Sequence, residues 1–343
     1  MLAEREANAR PVMFRVDDPD HVLTGVSLQP ELRMPAELLE FHREGDHWEL
    51  AFDPPPVTRL EYLLEVRYAD GGSKISPDPA NPRQVATAFG PKSVLEVPGY
   101  EPPAWLAAPT EPGVMRELDT GTAISARIWA PLGASASEPL PLLLVHDGPE
   151  YDALASLTRY LAAGTLGGWL PRLRAALLSP GSRNSWYSAS PRYTRMLERN
   201  ALPAIRSSVP CTVVIGMGTS LGALAMVHAY CAYPDSLDAM FLQSGSFFVP
   251  RLDSQERRFQ YFRRITDFTA AVQGGALPAE PVPVVMTCGS VEENVANNRV
   301  MLATFRSRGY LAELHEVPEL HNYTAWRDAF DPYLTKLLRQ VAG

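Results

Sequence analysis

The sequence predicts an α/β protein, a mostly parallel sheet flanked by helices and preceded by a small all-β sandwich. Three observations carry this. Several apolar runs do not alternate with polar residues, as in "LLLV" (142–145), "TVVI" (212–215) and "PVVM" (283–286). Strands buried on both faces have that pattern, and both faces of a parallel sheet are covered by helices. Between the runs lie segments of helical period. The prolines, finally, crowd the first third of the chain in "DPPPV" (53–57), "PDPANP" (77–82) and "VPGYEPPAW" (97–105), where short strands split by Pro and Gly turns suit a sandwich.

In the front part "HWELAF" (47–52) and "RLEYLLEVRYA" (59–69) have strand character. In the second, alternation puts Leu60, Tyr62, Leu64 and Val66 on one face, and "DGG" (70–72) turns the chain. "GYEPPAWL" (99–106) reads as a linker, which divides the chain into an all-β unit, 1–106, and an α/β unit, 107–343. In the α/β unit the expected strands are "AISARIWAPL" (123–132), "PLLLVHDG" (141–148), "RAALLSPGS" (174–182), "CTVVIGMG" (211–218), "LDAMFLQSG" (237–245), "VPVVMTCGS" (282–290) and "YLAELHEV" (310–317). The expected helices are "SLTRYLAAG" (156–164), "SPRYTRMLERNALPAI" (190–205), "LGALAMVHAYCAY" (221–233), "NVANNRVMLATFRSRG" (294–309) and a closing helix from about Asn322 to Val341. Ser190 caps the second of these, with Pro191 in its first position.

Composition narrows the function. Of 343 residues 46% are hydrophobic and 20% charged, as in an ordinary globular protein. A net charge of −8 argues against nucleic-acid binding, which needs a basic footprint. No apolar run is long enough to span a membrane, and the opening "MLAEREANARPVMF" lacks the apolar core of a secretion signal. Cys211, Cys231 and Cys288 are sparse, odd in number and without metal-ligand spacing. They read as buried free thiols and suit a cytoplasmic location. No metal and no cofactor are expected.

The chemistry centres on "GMGTSLGALAM" (216–226), which holds the pentapeptide Gly218-Thr219-Ser220-Leu221-Gly222. A β-branched strand precedes Ser220 and a helix of small residues follows it, the setting of the α/β-hydrolase nucleophile elbow. Ser220 then stands at the carboxyl edge of the sheet and at a helix N-terminus, where Leu221 N–H faces a developing oxyanion. A serine hydroxyl needs a base, and in this fold an acid and then a histidine follow it in the chain. His321 lies in the loop after the last strand, whereas His315 lies within that strand and reads as structural. His228 is two helical turns from Ser220 and reads as core; His146 is a lesser candidate for substrate contact. Glu292 and Glu293 both follow the penultimate strand, and either suits the acid; Glu292 is favoured. The second oxyanion donor belongs to the loop after "LLLV"; Pro149 has no N–H, so the donor is Asp147 or Gly148, and Gly148 is the choice.

Together "LLLVHDGPEY", "RNSWYSASPRY", "GMGTSLGALAM", "LQSGSFF", "TCGSVEENVANNR" and "HNYTAWRDAF" resemble the enterochelin (enterobactin) esterase family of α/β-hydrolases over most of residues 110–343. "EYLLEVRYADGG" and "DPANP" look like the immunoglobulin-like early-set module that precedes the hydrolase in those enzymes. The resemblance implies a cytoplasmic serine esterase that cleaves a catecholate trilactone siderophore, ferric or free, with Ser220 as nucleophile, Glu292 as acid and His321 as base. It departs from the family at Ala223, where a second glycine is common, and at Ser185, where a glutamate paired with arginine is expected.

An anionic aromatic substrate calls for arginines and aromatic faces, and Arg183, Trp186 and Trp326 are the expected contacts, with Tyr187 and Arg327 beside them. An esterase on another acyl, aryl or carbohydrate ester is the second reading. A non-catalytic binding protein on a hydrolase scaffold is the third. The expected partner is a small-molecule ester; the oligomeric state is open, an oligomer included.

Overall fold

The computed structural model describes residues 11–53 and 56–343. The charged opening residues read against a secretion signal, and Pro54 and Pro55 of "DPPPV", lie outside them. The chain forms two units. One runs up to Glu101 and includes Pro318–Leu320; the other comprises Pro102–Val317 and His321–Gly343.

The first unit is all-β. Strands β1 (Val12–Asp17), β3 (His42–Glu44) and β4 (His47–Phe52) form an antiparallel sheet in the order β1-β4-β3. Strands β2 (Leu23–Pro30), β5 (Arg59–Tyr68), β7 (Gln84–Thr87) and β8 (Gly90–Glu96) form a second in the order β2-β5-β8-β7, with β6 (Ser73–Ser76) paired to β5. Phe14 of β1 meets Tyr62 of β5 edge-on at 5.1 Å, so apolar faces of the two sheets close on each other. Leu60, Tyr62 and Leu64 are buried on the β5 face that alternation selects.

The second unit carries β9 (Val114–Leu118), β10 (Ala126–Ala130), β11 (Leu140–Val145), β12 (Arg174–Leu178), β13 (Cys211–Thr219), β14 (Ala239–Gln243), β15 (Val284–Gly289) and β16 (Ala312–Val317). Their order is β16-β15-β14-β13-β11-β12-β10-β9. From β12 to β16 all neighbours are parallel, while β10 pairs antiparallel with β12 and β9. Successive side chains of each strand point to opposite faces. Leu142, Leu144, Met240, Leu242 and Met286 enter one core; Leu143, Val145, Ile215, Met217 and Phe241 enter the other. Both faces are covered, which is why these strands read as unbroken apolar runs.

The helices are α1 (Gly148–Ala155), α2 (Leu157–Leu166), α3 (Arg183–Tyr187), α4 (Pro191–Met196), α5 (Leu202–Ser208), α6 (Leu221–Ala232), α7 (Phe262–Ala271), α8 (Val295–Ser307), α9 (Tyr323–Asp328) and α10 (Thr335–Ala342). A π-helical stretch, Leu197–Ala201, joins α4 to α5, and Ser190 accepts the Tyr193 N–H as the N-cap of α4. Three expectations need correction. The helix α7 lies in a stretch the sequence left unassigned. The closing helix is broken at Asp331 (φ −109°, ψ 123°), where Pro332 withholds an N–H and restricts the residue before it. Cys211 and Cys231 are only partly buried, though all three cysteines are free thiols. The division between the units falls at Glu101, ahead of the expected 106, because Trp105 is buried against Tyr160 and stacks on Phe330.

Candidate active site

Parallel pairing sets the strand ends side by side. Val145 pairs with Met217, Thr219 with Gln243, Gln243 with Thr287, and Gly289 with Val317. The residues just past these ends therefore gather at one edge of the sheet: His146, Ser220, Ser244, Glu292 and His321.

Ser220 joins β13 to α6 with φ 54° and ψ −121°, a conformation costly for any residue with a side chain. The flanking glycines make it possible. A Cβ on Gly218 would lie 2.5 Å from the carbonyl carbon of Gly222, so strand and helix touch backbone to backbone. The turn is further held by the Ser220 N–H on the Gln243 carbonyl (2.9 Å) and the Ser246 N–H on the Ser220 carbonyl (3.1 Å). The Ser220 hydroxyl shares a 3.1 Å hydrogen bond with that of Ser246. Leu221 and Gly148 are the first residues of α6 and α1, and a first-turn N–H has no acceptor within its own helix.

Glu292 is 6% exposed and every hydrogen bond it makes is directed. Oε1 accepts the Gly289 N–H (2.7 Å) and the Ser244 hydroxyl (2.7 Å); Oε2 lies 2.7 Å from His321 Nδ1. Trp326 Nε1 donates to Ser244 Oγ (2.9 Å), so the one Ser244 proton must go to Glu292. A carboxylate accepts only, which places the His321 proton on Nδ1 and leaves Nε2 as the basic nitrogen. The His321 ring packs edge-on against Trp326 at 5.0 Å. Glu293 is exposed. Of the two glutamates it is Glu292 that meets the histidine.

Solved structures share this architecture. An enterochelin esterase from Shigella flexneri superposes with a TM-score of 0.74 at 17% identity, covering 98% of this chain and 97% of that one. A ferric enterobactin esterase from Salmonella typhimurium gives 0.75 at 19%, with 99% of both chains covered. The chain has the enterobactin esterase fold. A ferulic acid esterase covers 67% of the chain with a TM-score of 0.52 at 14% identity. No protein-family model and no curated protein sequence matches the chain.

Within this enterobactin esterase fold the expected substrate contacts lie in different settings. The Arg183 guanidinium is bound to Asp147 through Nε (2.8 Å) and Nη2 (2.7 Å). Its charge, held further up by the carboxylate against the opposing effect of burial, is thus already paired. This is the acidic partner the sequence sought at Ser185, supplied from 36 residues away. Trp186 is half-buried and stacks on Tyr193 at 5.4 Å. Trp326, expected to face substrate, is buried beneath His321 with its N–H committed to Ser244. Tyr187 is fully buried, and Arg327 Nε bonds Asp328 (2.7 Å). His146 is also fully buried, so it meets no substrate. His315 stacks on Tyr333 at 4.1 Å and His228 bonds Thr194 at 2.6 Å; neither belongs to the site.

Sequence reasoning missed Ser244, Ser246 and Gln243. The Gln243 amide is buried, accepting the Tyr151 hydroxyl (2.8 Å) and donating to Thr287 (3.1 Å) and the Trp326 carbonyl (3.0 Å). The available signal was a glutamine ending an otherwise apolar strand, since a polar group at a buried strand end must find partners. Among the described residues no cluster of three or more His, Cys, Asp or Glu suits a metal ion, and no helix is long and apolar enough to cross a membrane.

Proposed function

We propose that this chain is a serine esterase in which Ser220, His321 and Glu292 form the catalytic triad. The observation that carries the reading is the buried Glu292 carboxylate, bound to His321 Nδ1 at the sheet edge where the Ser220 elbow stands. His321 Nε2 takes the hydroxyl proton as Ser220 Oγ attacks the ester carbonyl. The Leu221 and Gly148 N–H groups receive the negative charge on the carbonyl oxygen. The protonated His321 then gives its proton to the leaving alkoxide. Water, deprotonated by the same nitrogen, attacks the acyl-serine; the proton passes from Nε2 to Ser220 Oγ as the acyl bond breaks, releasing the acid, and Glu292 stabilises the imidazolium in both halves.

For the substrate we propose a catecholate trilactone siderophore, ferric or iron-free, cleaved in the cytoplasm; iron arrives only as part of it. In support, full-length structural neighbours are enterobactin esterases, one solved in the presence of enterobactin and another with 2,3-dihydroxy-N-benzoyl-serine. The ferulic acid esterase likeness favours, as a second reading, a simpler aromatic ester on the same triad.

The test is product analysis with cyclic and linear trilactones, ferric and iron-free, beside p-nitrophenyl esters. A fluorophosphonate label on Ser220 and loss of turnover in Ser220→Ala are expected. Turnover at the wild-type rate in that variant would refute the mechanism; aryl-ester activity without trilactone cleavage would favour the second substrate.

A further inference from the structure

The two proposed oxyanion donors come from separate elements. Gly148 opens α1 after β11, and Leu221 opens α6 after β13. Their usefulness depends on spacing, because donors must sit about 2.7–3.1 Å from one developing oxygen. His146 joins the two elements. Its backbone N–H donates to the Met217 carbonyl (2.9 Å), continuing the strand pairing, and its side chain crosses to α6. Nδ1 lies 3.0 Å from the Gly222 carbonyl oxygen. A carbonyl only accepts, so the proton is on Nδ1 and Nε2 is the acceptor. The Tyr193 hydroxyl, 2.8 Å from Nε2, donates to it. The tautomer is therefore chosen by the partners.

The surroundings hold this bridge still. The Tyr187 ring lies 4.5 Å from the imidazole, and Trp186 stacks behind Tyr193. Asp147, next in the chain, is left-handed (φ 52°) and clamped by Arg183. A Cβ on Gly222 would meet His146 Cβ at 3.2 Å and Asp147 Oδ2 at 3.3 Å, so the two elements are in contact. Burial, against the Gly222 carbonyl and Asp147, lowers His146 to about 4, which keeps it neutral near pH 7.

We infer that His146, oriented by Tyr193, is a positioning residue that sets the separation of the Gly148 and Leu221 oxyanion donors. The inference rests on the serine esterase reading. It is tested on the full chain with His146→Phe, which keeps a ring but neither hydrogen bond, and His146→Asn, whose amide nitrogen overlays Nδ1. Tyr193→Phe removes only the second bond. The readouts are kcat and KM on a p-nitrophenyl ester and the affinity for phenylboronic acid, which forms a tetrahedral adduct with the serine. Misplacing a catalytic group by an ångström costs about 100-fold. His146→Phe is expected to lose about 10- to 100-fold in kcat and in boronate affinity, with KM within about twofold. His146→Asn should recover most of the loss, and Tyr193→Phe should lose several-fold in both measures. A purely structural role would lower Tm and leave kcat and boronate affinity unchanged in the folded variants, which would overturn the inference. If His146→Phe does not fold, an unchanged Tyr193→Phe overturns it alone. Ser220→Ala turning over at the wild-type rate would overturn the esterase reading and this inference together.

Discussion

Replacing Glu292 by glutamine tests the triad at the point where the structure is most explicit. The change conserves shape, so its effect depends on which end of the amide takes each carboxylate position. Oε1 receives two donors, the Gly289 N–H and the Ser244 hydroxyl, both at 2.7 Å. The Ser244 proton cannot turn elsewhere without facing the Trp326 N–H. The amide oxygen must therefore occupy the Oε1 position. The opposite orientation would set an NH2 against two donors, at about 1–3 kcal/mol for each unmet group. The amide NH2 then faces His321 Nδ1, which must become an acceptor. The His321 proton moves to Nε2, and a protonated Nε2 cannot accept the Ser220 proton. The corresponding change in a serine protease triad costs about 10⁴ in kcat through the wrong tautomer. We expect a loss of about 10³ to 10⁴, roughly 4–5.5 kcal/mol in barrier, with KM within severalfold and the fold intact. Initial rates over a range of p-nitrophenyl ester concentrations measure it, with Glu293→Gln as control, expected within about twofold because Glu293 is exposed. A Glu292→Gln enzyme within tenfold of wild type, or a Glu293→Gln enzyme equally damaged, would refute the reasoning.

The elbow and the core make further predictions. Gly222→Ala must push His146 and Asp147 by a few tenths of an ångström, so kcat should fall about tenfold while Tm moves little, the helix gaining up to about 1 kcal/mol in propensity; unchanged kcat would refute the close fit. Gly218→Ala meets backbone at 2.5 Å rather than a side chain, and should lose far more activity and stability than Gly222→Ala; comparable losses would count against the elbow geometry. Glu198 is buried in the π-helical stretch, and burial outweighs Ser236 and Arg206 to push its carboxyl from 4.5 up to about 7. Its ionisation thus opposes folding: the cost is absent below about pH 4.5, grows as pH rises to about 7, and is then full, on the order of 3 kcal/mol. Glu198→Gln should raise Tm relative to wild type at pH 8 and lose that advantage by about pH 4.5 in a melting series; a gain independent of pH would refute it.

Much of the candidate site was legible because its proposed members depend on order along the chain. The strand before Ser220 and the small-residue helix after it are local patterns, and Glu and His follow in the required sequence. The remainder depends on contacts between distant segments. Glu292 and Glu293 are neighbours of one type, and only the turn after β15 decides which carboxylate faces inward. Arg183 was expected to meet an anion in a ligand and meets Asp147 across the sheet edge. Trp326 reads as a possible aromatic wall but is fixed under His321 by Ser244.

By itself the sequence determined the layered α/β architecture and the placing of Ser220, Glu292 and His321 after β13, β15 and β16. It could do so because burial on both faces of the sheet is written into each strand as composition, and the elbow into five adjacent residues. The tertiary structure decided the hydrogen-bond partners: Ser246 on Ser220, Ser244 on Glu292, His146 between Gly222 and Tyr193, and Asp147 on Arg183. Those pairings follow from strand register and helix placement, which bring together groups 26 to 76 positions apart. No local pattern records such a distance, because a polar side chain looks the same in the sequence whether its partner is water or a residue from another strand.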